Sequence, residues 1–160
     1  MDVPCRVRSA QPADAPTLAD IERRCFTDPW SAASFREALT SPWTFALVAE
    51  LDGAIVGYFI GRETAGSGEV LNLAVAPESR RHGVARRLLD AGLQALRLRG
   101  SEEIFLEVRE SNFPAQSLYR DYGFRPVGQR AGYYRNPRED ALVLRLEVAA
   151  LREKGQSGVK

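Results

Sequence analysis

Residues 69–100 read EVLNLAVAPESRRHGVARRLLDAGLQALRLRG, and their order decides the fold. Glu69 to Ala76 is a mostly apolar run, the pattern of a central strand covered on both faces. Pro77 to Gly83 is polar and is bounded by the turn residues proline and glycine. Val84, Leu88, Ala91, Gly92, Ala95 and Leu96 then share one helical face, with Arg86, Arg87, Asp90, Gln94 and Arg97 off it. Gly100 closes that helix. Ile104 to Val108 is another apolar run, so residues 69–108 predict a strand–helix–strand unit with parallel strands and a right-handed crossover.

The flanks extend this unit into a mixed α/β domain. Cys5 to Arg8 reads as a first strand, and Pro12 to Cys25 as a helix with Leu18, Ile21 and Cys25 inward. Pro29-Trp30-Ser31 breaks it, and Ser31 caps a second helix that ends near Ser41-Pro42. Trp43 to Leu51 and Ala54 to Arg62 form a hairpin about Asp52-Gly53, and Gly66-Ser67-Gly68 is a loop. After Val108, Asn112 and Pro114 open a helix closed by Gly123, and Phe124–Arg135 pairs antiparallel with Ala141–Val148. The expectation is one domain over residues 1–150, with about seven mostly antiparallel strands, and a flexible tail over 151–160.

Composition bounds the function. The chain has 160 residues, 22 Lys+Arg against 21 Asp+Glu, and a net charge of +1. That balance argues against a nucleic-acid binder, which is usually distinctly basic. Hydrophobic content of 44% argues against disorder. Two cysteines, Cys5 and Cys25, make no disulfide framework and show no zinc spacing, so no metal is expected. The start lacks an apolar leader, and the longest clean apolar stretch, Ala54 to Ile60, is far too short to span a membrane. A cytoplasmic, soluble protein with no membrane or nucleic-acid partner is expected.

The richest chemistry lies in Arg80-Arg81-His82-Gly83-Val84-Ala85, between a buried strand and a long helix. Helix N-termini present free N–H groups and positive dipole ends, and glycine lets an anion approach the backbone. From 80 to 100 six arginines face one acid, Asp90, a charge of +5. The plainer alternative is a solvated helix face with Gly83 easing packing. No Walker or dinucleotide glycine pattern is present.

Arg80-x-x-Gly83-x-Ala85 resembles the (Q/R)xxGx(G/A) motif of the GNAT family of acetyl-CoA-dependent N-acetyltransferases, and the order of elements matches. The resemblance implies a single GNAT-like domain with helices on both faces of the sheet. It implies that the backbone at Arg81, His82, Gly83, Val84, Ala85 and Arg86 wraps the coenzyme A pyrophosphate. It also implies that Leu73, Ala74 and Val75 pair with the pantetheine arm. His82 occupies a variable position and is read as non-catalytic.

Glu107 in LEVR and Tyr119 in SLYRDYGF read by themselves as a strand-surface acid and a core aromatic. Acetyl transfer to an amine needs a proton acceptor and a donor for the leaving thiolate, and a carboxylate and a phenol suit those tasks. The block from Leu106 to Phe124 is similar to the RimI type within the GNAT family, whose members acetylate the N-terminal alanine of a small-subunit ribosomal protein. That likeness implies Glu107 as base, Tyr119 as acid and Asn112 as a coenzyme A ligand, although asparagine there is also a good helix cap. Phe26-x-x-Pro29-Trp30-Ser31 and Tyr133-Tyr134-x-x-Pro137-x-Glu139-Asp140-Ala141 are similar to segments beside that group's peptide cleft. They imply Trp30, Tyr133 and Tyr134 as cleft residues, with core packing as the competing role. The sequence departs from the group's pattern at Ala85, Pro114 and Leu144. The implied activity is N-terminal alanine acetylation of a ribosomal protein. Another amine acceptor, or a non-catalytic acyl-CoA module, stands as the alternative. Oligomeric state is not legible, and a monomer is the default.

Overall fold

A computed structural model describes residues 4–151. In chain order the elements are β1 (Cys5–Ser9), a 3-10 turn (Pro12–Asp14), α1 (Ala15–Cys25), α2 (Ala32–Thr40), β2 (Thr44–Leu51), β3 (Ala54–Thr64) and β4 (Ser67–Val75). They continue with a second 3-10 turn (Pro77–Ser79), α3 (Val84–Leu98), β5 (Glu103–Arg109), α4 (Phe113–Asp121), β6 (Arg125–Tyr134) and β7 (Glu139–Glu147). One seven-stranded sheet runs β1-β2-β3-β4-β5-β7-β6. The single parallel pairing joins β4 to β5, the crossover expected from residues 69–108.

Burial follows the two-residue period of the strands. On β3, Phe59 packs in one core with Val84, Leu88, Leu89, Leu93 and Leu96 of α3. Its neighbours Tyr58 and Ile60 pack in the other, with Leu18 and Ile21 of α1 and Phe35 of α2. Helices therefore cover both sheet faces, which is why β3 reads as a continuous apolar run. Gly92 sits on the buried face of α3 because a Cβ there would collide with the Phe59 ring.

Three local expectations shift. The turn before β4 is tighter than Gly66-Ser67-Gly68 suggested. Ala65 and Gly66 take φ of 51° and 89°, and this two-residue hairpin frees Ser67 and Gly68 to pair with Thr64 and Glu63. Leu89 and Leu93 are also fully buried, so the apolar face of α3 is wider than the predicted stripe. The first helix is preceded by a 3-10 turn in which the Asp14 side chain accepts from Gln11 N–H at 2.7 Å. The tail expected to be flexible lies, beyond Leu151, outside the described residues.

Candidate active site

The sheet splits in its middle. β4 and β5 share three register pairs: Ser67 with Glu103, Gly68 with Ile104 and Glu69 with Phe105. Beyond them β4 runs on to Val75 paired to β3, while β5 runs on to Arg109 paired to β7. Two strands diverging inside a sheet expose inner edges that a ligand chain can hydrogen-bond, as an edge strand does. Leu73, Ala74 and Val75 lie on that edge of β4. The Val75 carbonyl already accepts from Arg80 Nε at 3.1 Å and from the Cys25 thiol at 3.4 Å.

The opening leads to the start of α3. Arg81 and Gly83 have φ of 68° and 75°, so two left-handed residues bracket His82 and turn the chain into the helix. Successive N–H groups in such a turn make an anion-binding concavity. No side chain caps α3, whereas Ser31 Oγ caps α2 and Asn112 Oδ1 caps α4. Val84, Ala85 and Arg86 are the first-turn residues whose N–H groups precede the first helical bond, Arg87 N–H to Gly83 O at 3.1 Å. This uncapped helix start fits a phosphate-bearing group.

The arginines are distributed differently from a single +5 patch. Arg80 turns inward onto Val75 O and the Cys25 sulfur. Arg86 pairs with Asp121 of α4 at 2.7 Å, and Arg87 donates to Cys5 O at 2.8 Å. Arg97 and Arg99 lie at the other end of a fifteen-residue helix, about 20 Å away. The loop therefore offers chiefly backbone N–H groups. Arg81 and His82 are exposed, and Val84 is buried.

Glu107 stands on β5 beyond the split, with 27% of its side chain exposed and Arg130 Nε at 3.5 Å. Ile104, Leu106 and Val108 are buried, so alternation turns Glu107 to the opposite face. Its nearby carboxylate, together with burial, pushes the Tyr133 phenol up to about 12. Tyr134 is also raised, first by burial and then by the charges of Tyr133 and Glu107, with Tyr119 acting on it too. Glu107, Tyr133 and Tyr134 thus lie near one another, whereas Tyr119 packs in the core with Leu106 and Val108, on the other face of β5 from Glu107. Tyr119 is 8% exposed, edge-on to Phe124 at 5.7 Å, and burial pushes its phenol up to about 12. Asn112 serves as the α4 cap, accepting from Ala115 N–H at 3.2 Å.

The acetyltransferase (GNAT) family model matches residues 15–124, which contain the split, the loop and both Glu107 and Tyr119. The chain belongs to the GNAT acetyltransferase family. An N-alpha-acetyltransferase RimI from Mycobacterium tuberculosis is 36% identical, over 89% of this chain and 92% of that protein. The [ribosomal protein bS18]-alanine N-acetyltransferase of Escherichia coli K12 is 30% identical over 89% of this chain and 97% of its own. The crystal structure of the ribosomal-protein-S18-alanine N-acetyltransferase from Escherichia coli superposes with a TM-score of 0.84 at 29% identity, covering 91% and 94% of the two chains. The chain is thus an N-acetyltransferase. Among the described residues no group of three or more His, Cys, Asp or Glu could hold a metal, and no helix is long and apolar enough to cross a membrane.

Two residues of this GNAT domain escaped the reading of the sequence. Arg109, two positions after Glu107, donates to Arg135 O at 2.7 Å, Pro137 O at 3.1 Å, Glu139 Oε1 at 3.0 Å and Thr27 Oγ1 at 3.4 Å. It also lies 4.6 Å over the Tyr134 ring. One guanidinium therefore ties the segment before α2 to the β6–β7 turn, a use of its fixed fork of donors. Its position inside the quoted LEVR block was the available signal. Glu22, a polar interval in the helical pattern of α1, proves 2% exposed and gave no signal. Trp30 is half-buried, its ring 5.2 Å from Phe35, so the side chain packs on the α1–α2 core.

Proposed function

We propose that this enzyme transfers the acetyl group of acetyl-CoA to the α-amine of the N-terminal alanine of a small-subunit ribosomal protein. The observation that carries the reading is the split in the sheet, with Glu107 on β5 just beyond the divergence and β4 leading to an uncapped helix start. The kinship with alanine N-acetyltransferases supports the choice of acceptor.

Acetyl-CoA supplies an activated thioester. In this reading Arg81, His82, Gly83, Val84, Ala85 and Arg86 hold its pyrophosphate through backbone N–H groups, Asn112 adds a contact, and the edge at Leu73, Ala74 and Val75 that β5 leaves unpaired takes its pantetheine. An N–H of that edge polarises the thioester carbonyl. A peptide α-amine has a pKa of about 7.7–8.0, so roughly a tenth is neutral at pH 7 and a carboxylate suffices as base. The amine attacks, a C–N bond forms, the C–S bond breaks, and Glu107 takes the amine proton directly or through water. Tyr119 donates its phenolic proton to the departing sulfur, and a phenol at about 12 is fully protonated beforehand. Trp30, Tyr133 and Tyr134 line the acceptor side.

The test is an acceptor panel with acetyl-CoA: an Ala-starting peptide, the same peptide with a blocked N-terminus, an internal lysine peptide, a polyamine and an aminoglycoside. Preference for the free Ala peptide is expected. Preference for a lysine side chain or a free small amine rejects the proposed acceptor.

A further inference from the structure

The buried carboxylate of Glu22 is unused by the steps above, yet it joins four elements. Oε2 accepts from the Trp30 backbone N–H at 2.9 Å, in the segment between α1 and α2. Oε1 accepts from Asn72 Nδ2 of β4 at 2.8 Å and from the Tyr58 hydroxyl of β3. The group is 2% exposed, and all three donors are neutral. Burying a carboxylate is unfavourable unless hydrogen bonds compensate it, and here both oxygens are engaged.

The elements joined differ in how else they are held. β3 and β4 pair along their lengths, from Gly57 with Val75 to Thr64 with Ser67, so Tyr58 and Asn72 are fixed by the ladder. The segment 26–31 lies outside any ladder. Its ties to the rest of the domain include the Trp30 N–H on Glu22 and Thr27 on Arg109. Asn72 directly precedes Leu73, Ala74 and Val75. We infer that Glu22 is a positioning residue that sets the acceptor segment 26–31 against the free edge of β4, fixing the gap between amine and thioester. This rests on the proposed assignment of Trp30 to the acceptor side.

Loss of this tie releases the segment and leaves the α3 N-terminus untouched. The test uses Glu22→Gln, which keeps size while presenting an amide donor to three donors. Asn72→Asp is then added, which restores a donor–acceptor pair between α1 and β4. Expected for Glu22→Gln are a peptide KM raised about tenfold and an unchanged dissociation constant for free coenzyme A by calorimetry, with peptide KM falling back in the double variant. Equal weakening of coenzyme A and peptide, or an unchanged peptide KM in a folded protein, overturns the inference. If Glu22→Gln does not fold, Tyr58→Phe keeps the ring and removes one donor, with a KM rise of about threefold expected and no rise counting against. Wild-type turnover of the peptide is the control for the functional reading. A readout independent of any acceptor is acrylamide quenching of Trp30 in a Trp43→Phe background, those being the two tryptophans. Quenching must rise with Glu22→Gln; unchanged quenching rejects the positioning role even where no acceptor is acetylated.

Discussion

Gly83→Ala separates a folding role from a ligand-binding role, because the structure supplies a matched control. Gly83 has φ of +75°, and a Cβ built there meets nothing within 4 Å. Gly53, in the β2–β3 turn, has φ of +79° and is equally open. Alanine at either site therefore costs conformational strain alone, roughly 1–2 kcal/mol for a left-handed residue. At about 2–4 °C per kcal/mol for a domain of this size, each variant should melt roughly 2–8 °C lower. The sites diverge in what faces the open space. At Gly83 it adjoins the uncapped first turn of α3, where the pyrophosphate is proposed to approach the backbone. A methyl group there stands between phosphate and N–H groups, so coenzyme A should bind at least about tenfold more weakly, equal to about 1.4 kcal/mol. Gly53→Ala should leave that affinity within a factor of about two. Calorimetry with free coenzyme A and thermal melts of both variants suffice. Equal affinities in the two variants, with equal melting losses, would refute the loop as the pyrophosphate seat.

Tyr119→Phe keeps the ring packed on Phe124 and should melt like the parent, while kcat drops by about a hundredfold or more, as does Glu107→Gln. Because burial pushes the Tyr119 phenol up to about 12, parent kcat should show no alkaline fall from this group below that range, and a fall near its ordinary value of about 10 would contradict the assignment. Arg109→Lys keeps the charge and loses the fork onto Arg135 O, Pro137 O, Glu139 and Thr27, so peptide KM should rise several-fold with coenzyme A affinity held; equal kinetics with the parent would show the fork to be dispensable. Arg8 beside Asp14 holds that carboxyl below its ordinary range. A depressed folded pKa stabilises above the unfolded value of about 3.9 and is lost as pH falls through the folded one. The stability gap between parent and Asp14→Asn should thus be full at neutral pH and close in acid, and a gap independent of pH in denaturant titrations would refute it.

Elements with a strong period were legible in the sequence; contacts across the fold were not. The apolar runs of β3 and β4, the face of α3 and the caps Ser31 and Asn112 are local, and each stands where its residues place it. The width of the α3 face was missed because Leu89 and Leu93 are buried in a core shared with Phe59 of β3, with α3 packed across strands remote from it in sequence. The arginine count misled for the same reason. Spacing reveals charge, but only the fold shows Arg80 turned onto Val75 O and Arg86 held by Asp121. Glu22 was invisible because a single glutamate on a helix normally faces water, and its donors come from three other elements.

The position of Glu107 shows how a core can fix a site. Ile104, Leu106 and Val108 are buried against α3 and α4, which by alternation sends Glu103, Phe105, Glu107 and Arg109 to the face that carries α1 and α2. Pairing of Glu107 with Val143 on β7 sets its height, and the end of the β4–β5 ladder at Phe105 puts it just beyond the split. A one-residue slip of β5 would bury Glu107 and Arg109 and expose Leu106 and Val108. Such a slip would be penalised by the apolar surface of at least two side chains, about 1.5–3 kcal/mol each, and by two buried charges. The register that places a carboxylate at the opening, and an arginine two residues on at the Thr27 and Arg135 segments, is therefore enforced by hydrophobic burial on the opposite face of the strand. Substitutions of Leu106 or Val108 by polar residues should consequently impair acetylation through the sheet register, although both side chains are buried on the face opposite Glu107.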